Sequence, residues 1–190
     1  MKLLTPRFLI KPEPVPLSTA VEHLYDEVFG PARFKKASHQ FRIGTKPVQH
    51  LCWVAVEEGR LVGAIRYWPI DIGRAAQPAL LLGPLAIIPA RADCGIGSAL
   101  MWKTLALAKQ SGHDLVLLVG DARYYARFGF VPATPFGFVM PGETRPDRLQ
   151  VRALTEQARA DLQDRLIHAP AMPAALTLHA VTAAARRRAS

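Results

Sequence analysis

The sequence predicts an α/β (α+β) domain. Its sheet is mixed and mostly antiparallel, about six to seven strands by the count of apolar runs, with helices on both faces. Three observations carry this expectation. Three short apolar runs, residues 51–56, 61–70 and 79–88, follow one another across turn-forming stretches and read as an antiparallel meander. The third run leads through a glycine turn, Gly95-Ile96-Gly97, into an amphipathic helix and then another apolar run at 115–119. A crossover through a helix implies one parallel step.

In chain order, residues 7–11 read as a first strand, since Arg7 and Lys11 bracket too short an apolar run for a signal peptide. Ser18 caps a helix to Phe29, with Glu22 completing a capping-box-like pattern and Ala20, Val21, Leu24, Tyr25 and Val28 on one face. Gly30-Pro31 breaks it. A second helix is expected over residues 32–42, basic through Arg33, Lys35, Lys36 and Arg42, and suited to lining a substrate mouth. After the meander and glycine turn, Leu100, Met101, Leu105, Leu107 and Ala108 recur at helical spacing up to Gly112. Gly120-Asp121 reads as a turn and helix cap before Tyr124 and Tyr125. Residues 132–148, rich in Pro and Gly, read as loop with one short strand at 138–140. A last strand covers 148–154 and a charged helix 156–167. These elements make one domain, residues 1–168; the Ala/Pro/Arg-rich residues 169–190 read as a tail.

The chain has 190 residues, half of them hydrophobic and 21% charged, a globular composition. No apolar run approaches the roughly 20 residues of a membrane helix, so no membrane partner is expected. Two cysteines, Cys52 and Cys94, make neither a disulfide framework nor a metal set, and the cytoplasm is the expected compartment. The net charge of +9 includes the cluster Arg186, Arg187 and Arg188, and suits an acidic partner such as a polyphosphorylated cofactor. Nucleic acid is not expected, since no motif for it accompanies the charge. No His pair has metal-ligand spacing, HExxH and GxSxG are absent, and no metal is expected.

A strand, glycine loop and helix start offer bare amides to an anion such as a phosphate. A nucleoside-triphosphate loop fails, because Ser98 and Ala99 follow Gly97 without the Gly-Lys-Ser/Thr signature. A dinucleotide fingerprint fails too: Leu100 stands where a small residue is required, and residues 89–94 separate the loop from the strand. The strings GPLAIIP at 83–89, GIGSAL at 95–100 and VGDARYYARFGF at 119–130 resemble the GNAT superfamily of acyl-CoA N-acyltransferases, in a small bacterial branch. Phe29-Gly30-Pro31, Leu61-Val62-Gly63 and Ile65-Arg66 resemble it as well, so the likeness spans about residues 8–152.

The resemblance implies acetyl-CoA as cosubstrate, bound by the main chain of Leu85, Ala86 and Ile87 and by the amides of Gly95, Ile96, Gly97, Ser98 and Ala99. The family pattern expects Gln or Arg at the position of Ala92; Arg91, one place earlier, can substitute, and Asp93 and Cys94 also depart from it. Cys94, Tyr124 and Phe128 join the implied cofactor-binding set. Tyr125, four residues before Gly129-Phe130, is the implied general acid, a hydroxyl protonated at neutral pH for the leaving thiolate. No base is visible; Asp71, Glu57, Glu58 and His50 are candidates outside any motif. The implied activity is direct acetyl transfer in a ternary complex to a small-molecule or protein amine, with an amide of the 85–87 strand polarising the carbonyl. A non-catalytic acyl-CoA-binding or sensor module is the alternative, and a homodimer is left open. Residues 132–148 and the basic helix are expected to shape the acceptor pocket.

Overall fold

The computed structural model describes residues 8–14, 18–168 and 176–181. The elements are β1 (Leu9–Pro12), α1 (Thr19–Phe29), β2 (Trp53–Glu57), β3 (Arg60–Ile72), β4 (Gln77–Ile87), α2 (Ile96–Gln110), β5 (Leu115–Val119), α3 (Ala122–Ala126), β6 (Val131–Pro132), β7 (Phe138–Val139), β8 (Leu149–Ala153), α4 (Glu156–His168) and β9 (Leu176–Ala180). The strands run β1-β2-β3-β4-β5-β8-β6, with β9 pairing β3 and β7. The meander and crossover are as expected: β1 to β4 are antiparallel and β4 meets β5 in parallel.

Strand alternation sorts the core into two faces. Ile65, Tyr67, Leu80, Leu82, Val116 and Leu118 meet Ile96, Leu100 and Met101 of α2. On the opposite face Trp68, Ile70, Leu81 and Leu117 pack with Phe41, Phe136 and Leu162 of α4. There too Val21, Leu24 and Tyr25 of α1 cover Ala64 and Ala86. Ser18 caps α1 by accepting from the Val21 amide.

Several expectations change. The sheet has nine strands rather than six or seven. The basic helix over 32–42 is instead two 3₁₀ turns, Pro31–Lys35 and Ala37–Arg42, separated at Lys36 in extended conformation. The Arg33 side chain is drawn back onto α1 by Glu22 and Asp26, while Phe41 is drawn into the core; one continuous helix cannot meet both demands. The 132–148 region contributes β7 as expected, at 138–139, and also lies beside β6, which pairs β8. The boundary at residue 168 does not divide the fold, because β9 joins the same sheet: Ile70, Asp71 and Ile72 face Ala180, His179 and Leu178. Leu178 is buried in the core, an anchor too short to register as a periodic pattern. Arg7, residues 169–175 and the Arg186–Arg188 cluster lie outside the described residues.

Candidate active site

β4 and β5 pair only at Leu80 with Val116 and Leu81 with Leu117; beyond that point they part. A register shift between Ile65 and Tyr67 turns the end of β4 with β3. The Ile88 amide donates to the Val62 carbonyl (3.0 Å). Antiparallel alternation then turns the main-chain groups of Leu85 and Ile87 away from β3, into the gap, while those of Ala86 pair with Ala64. Of the three residues expected to present their backbone, the register thus frees two.

On one face of this gap lies the start of α2. Gly95 occupies the left-handed region (φ 80°), which glycine enters without the Cβ penalty, and no side chain caps the helix. The first helical bond is Ala99 to Gly95 (2.9 Å). The amides of Gly95, Ile96, Gly97 and Ser98 have no acceptor among the described residues. Four free donors and the positive end of a helix dipole make a strong anion site. Arg91 does not project freely toward it, since its Nε pairs with Glu57. Asp93 and Cys94 are exposed. The Tyr124 side chain is half-buried, and its hydroxyl would lie only 2.6 Å from a Cβ on Gly97. Glycine at 97 is what allows that tyrosine to cross the helix start.

Tyr125 stands under the end of β5. Its ring fills the space a Cβ on Gly120 would occupy, with Cε2 at 2.2 Å from that position. Asp121 caps α3 by accepting from the Arg123 amide (2.8 Å), which fixes the turn that aims both tyrosines. The Tyr125 hydroxyl makes no hydrogen bond to any described residue. Burial, the neighbouring Tyr124 and Asp121 raise its pKa well above the ordinary value, against Arg148, so it stays protonated. Phe128 is fully buried, packed edge-on to Trp102 (5.2 Å) and near Tyr124. It supports the tyrosine rather than facing the gap.

A cavity of about 300 Å³ opens beside Tyr125, between Leu82–Leu85 of β4 and residues 118–121. Arg33, Lys36, Ser38 and Arg42 close it from the 3₁₀ turns, so the basic segment does line a mouth, though not as a helix; Lys35 is not among the lining residues. Of residues 132–148 only Arg148 reaches this cavity. None of Asp71, Glu57, Glu58 or His50 lines it. His50 stacks with His113 instead, and Asp71 sits opposite His179.

Sequence reading missed the scaffold behind this wall. Arg66 is buried in a fork with both oxygens of Glu13 (2.9 and 2.6 Å), and it also bonds Glu22. Burial raises the Glu22 pKa, but the bonds and charges of Arg33 and Arg66 outweigh it and hold the carboxyl below its ordinary value. The Tyr25 hydroxyl donates to the Pro84 carbonyl (3.2 Å), tying α1 to β4 where the strands part. The Ile65-Arg66 string marked a position but no role. Gly120 marked a turn, and nothing in the sequence told of the ring beside it. Among the described residues no group of His, Cys, Asp and Glu is placed to hold a metal ion, and no helix is long and apolar enough to cross a membrane.

The profile of the Acetyltransferase (GNAT) family matches residues 18–130. The uncharacterised N-acetyltransferase YhbS of Escherichia coli K12 is 27% identical over 74 residues, 39% of this chain and 44% of that protein, so the match spans under half of the curated relative. A crystal structure of E. coli YhbS in complex with CoA has the same fold, with a TM-score of 0.68 and 22% identity, covering 92% of this chain and 91% of that one. A GNAT family acetyltransferase from Brucella melitensis in complex with acetyl-CoA is 27% identical, with a TM-score of 0.57, covering 80% of this chain and 90% of that one.

Proposed function

The chain belongs to the acetyltransferase (GNAT) family, and from that premise we propose that it moves an acetyl group from acetyl-CoA to a primary amine by direct transfer in a ternary complex. One observation carries the reading. The gap between β4 and β5 has free helix-start amides on one face and an unpartnered, protonated tyrosine hydroxyl at its mouth. The residues fit the cosubstrate. The amides of Gly95, Ile96, Gly97 and Ser98 would hold the pyrophosphate, with Ala99 closing the first turn. The outward main-chain groups of Leu85 and Ile87 would hold the pantetheine arm, with Ala86 keeping the strand on β3. That solved relatives hold CoA or acetyl-CoA supports the choice of cosubstrate.

When bound, acetyl-CoA supplies an activated acyl carbon: a C–N bond to the amine forms, the C–S bond breaks, and the sulfur leaves as a thiolate. Tyr125 donates the proton that this thiolate takes and regains one from solvent, and its raised pKa keeps the hydroxyl protonated across the neutral range. An outward amide of the 85–87 strand polarises the carbonyl. Tyr124 and Phe128 brace Tyr125 and the α2 start rather than reacting. Arg91, held by Glu57 through Nε, and exposed Cys94 edge the cosubstrate mouth. The amine sheds its proton to solvent, since Glu22 is clamped by two arginines. No metal takes part in this reading, and the compartment in it is the cytoplasm.

Isothermal titration with acetyl-CoA, desulfo-CoA and ATP tests it. The expected result is micromolar binding of acetyl-CoA and none of ATP; no acetyl-CoA binding at millimolar ligand overturns it. A second reading, a non-catalytic acyl-CoA sensor, is favoured by the engagement of the one cavity-lining carboxylate, Asp121, as the α3 cap rather than as a base. Binding without thiol release to any amine would decide for it.

A further inference from the structure

The cavity beside Tyr125 sits in the gap itself: Leu82, Leu118, Tyr124 and Tyr125 line it from the α2 side and Phe29 with the basic 3₁₀ turns from the α1 side. Four cationic side chains line it, Arg33, Lys36, Arg42 and Arg148, against one carboxylate, Asp121. Arg33 is neutralised by Glu22 and Asp26 (2.7 Å each). The other three form no ion pair among the described residues. Among the described residues the buried Arg42 Nε has no partner and its Nη2 reaches only the Ser38 hydroxyl, at 3.5 Å. That guanidinium lies against Gly83, where β4 leaves β5. Burial lowers its pKa to about 10, with Arg33 and Arg66 adding to the effect and Tyr25 and Glu22 opposing it, yet it remains charged at neutral pH. The Lys36 ammonium sits 4.8 Å from the Phe29 ring centroid. Partial burial, Arg148 and Arg42 all lower its pKa, so the three cations lie within electrostatic range.

A buried guanidinium without a counter-charge is costly to hold. An oxyanion entering this cavity would supply that charge and could take two guanidinium hydrogens at once. A simple amine would instead arrive as an ammonium and meet three like charges. The phosphates of the cosubstrate are already provided for by the amides of residues 95–98, none of which lines this cavity. Building on the acetyl-transfer reading, we propose that the acceptor is a small primary amine bearing a carboxylate or phosphate, held by Arg42, Lys36 and Arg148. With the oxyanion in place, the remaining positive charge still favours the neutral amine over the ammonium. That replaces a carboxylate base: one proton leaves the ammonium for water before attack, and a second leaves the nitrogen after the C–N bond forms.

The test compares four acceptors in a thiol-release assay: 3-aminopropanoate, 2-aminoethyl phosphate, 3-aminopropanamide and 1,3-diaminopropane. The expected kcat/KM is at least ~10-fold higher for an anionic amine than for the other two, and the better of the two anions tells carboxylate from phosphate. Arg42→Gln, and separately the pair Lys36→Gln with Arg148→Gln, should raise KM for the anionic amines at least ~3-fold while leaving the acetyl-CoA Kd unchanged. Equal use of the neutral or dicationic amine, or a ratio unmoved in the variants, overturns the proposal. Calorimetry of the two anionic amines against the free protein reads the cations without turnover. No saturable heat overturns the proposal whatever acetyl-CoA does; saturable heat without any thiol release leaves the oxyanion site standing but overturns its use for an acceptor together with the transfer reading.

Discussion

Gly120→Ala is the sharpest probe of the proposed acid. Gly120 has no left-handed φ, so alanine suits the backbone and the perturbation is steric alone. The new Cβ would meet Tyr125 Cε2 at 2.2 Å and Cδ2 at 2.9 Å, with Leu118 Cδ1 at 3.1 Å on the other side. Ordinary contact begins near 3.4 Å, so the ring must move by more than about 1 Å. A displacement of that size costs on the order of 10²-fold when the group must meet a reacting atom. Overpacking of about 1–3 kcal/mol is expected in stability. Thiol-release kinetics, calorimetric acetyl-CoA binding and urea unfolding separate these effects. The expected outcome is a kcat lowered ~100-fold with an acetyl-CoA Kd within ~3-fold of the parent, since the α2 amides are untouched. Tyr125→Phe should fall about 10²–10⁴-fold, and adding Gly120→Ala to it should change little more. If Gly120→Ala keeps kcat within ~3-fold, or if the two losses multiply, Gly120 does not act through Tyr125 and the acid assignment fails.

Three further outcomes are expected. Glu13→Ala strips the buried Arg66 of its forked partner, and urea unfolding should show a loss of about 3–5 kcal/mol; a loss under ~1 kcal/mol would mean that Glu22 or water suffices. Because the folded Tyr125 pKa lies above its ordinary 10.0, its protonated form persists through that value. The kcat profile should therefore show no alkaline decline up to pH 10, whereas a decline near pH 8–9 that vanishes in Tyr125→Phe would refute the shift. Cys94 is exposed beside the free amides, while burial and Glu13 push the Cys52 thiol up to about 11. An alkylating reagent should modify Cys94 alone and be slowed by acetyl-CoA; unchanged labelling would place the cosubstrate elsewhere.

The sequence by itself determined the meander, the crossover helix, the glycine-flanked helix start and the cap that aims Tyr124 and Tyr125. Each of these is written in local patterns: alternation, 3.6-residue spacing, turn glycines and capping side chains. It even marked Arg33, Lys35, Lys36 and Arg42 as suited to lining a mouth, which all but Lys35 do. Only the tertiary structure decided their geometry, because ion pairs from α1 and the burial of Phe41 override local helix preference over residues 32–42. The same holds for β9, whose place is set by pairing with a strand about a hundred residues away, and for Phe128, a core residue inside a motif. Which cations are neutralised and which stand free is likewise a matter of distances between segments far apart in the chain. Arg33 and Arg42 look alike in sequence; Glu22 and Asp26 reach the first, no carboxylate among the described residues pairs with the second, and that difference gives the cavity its charge.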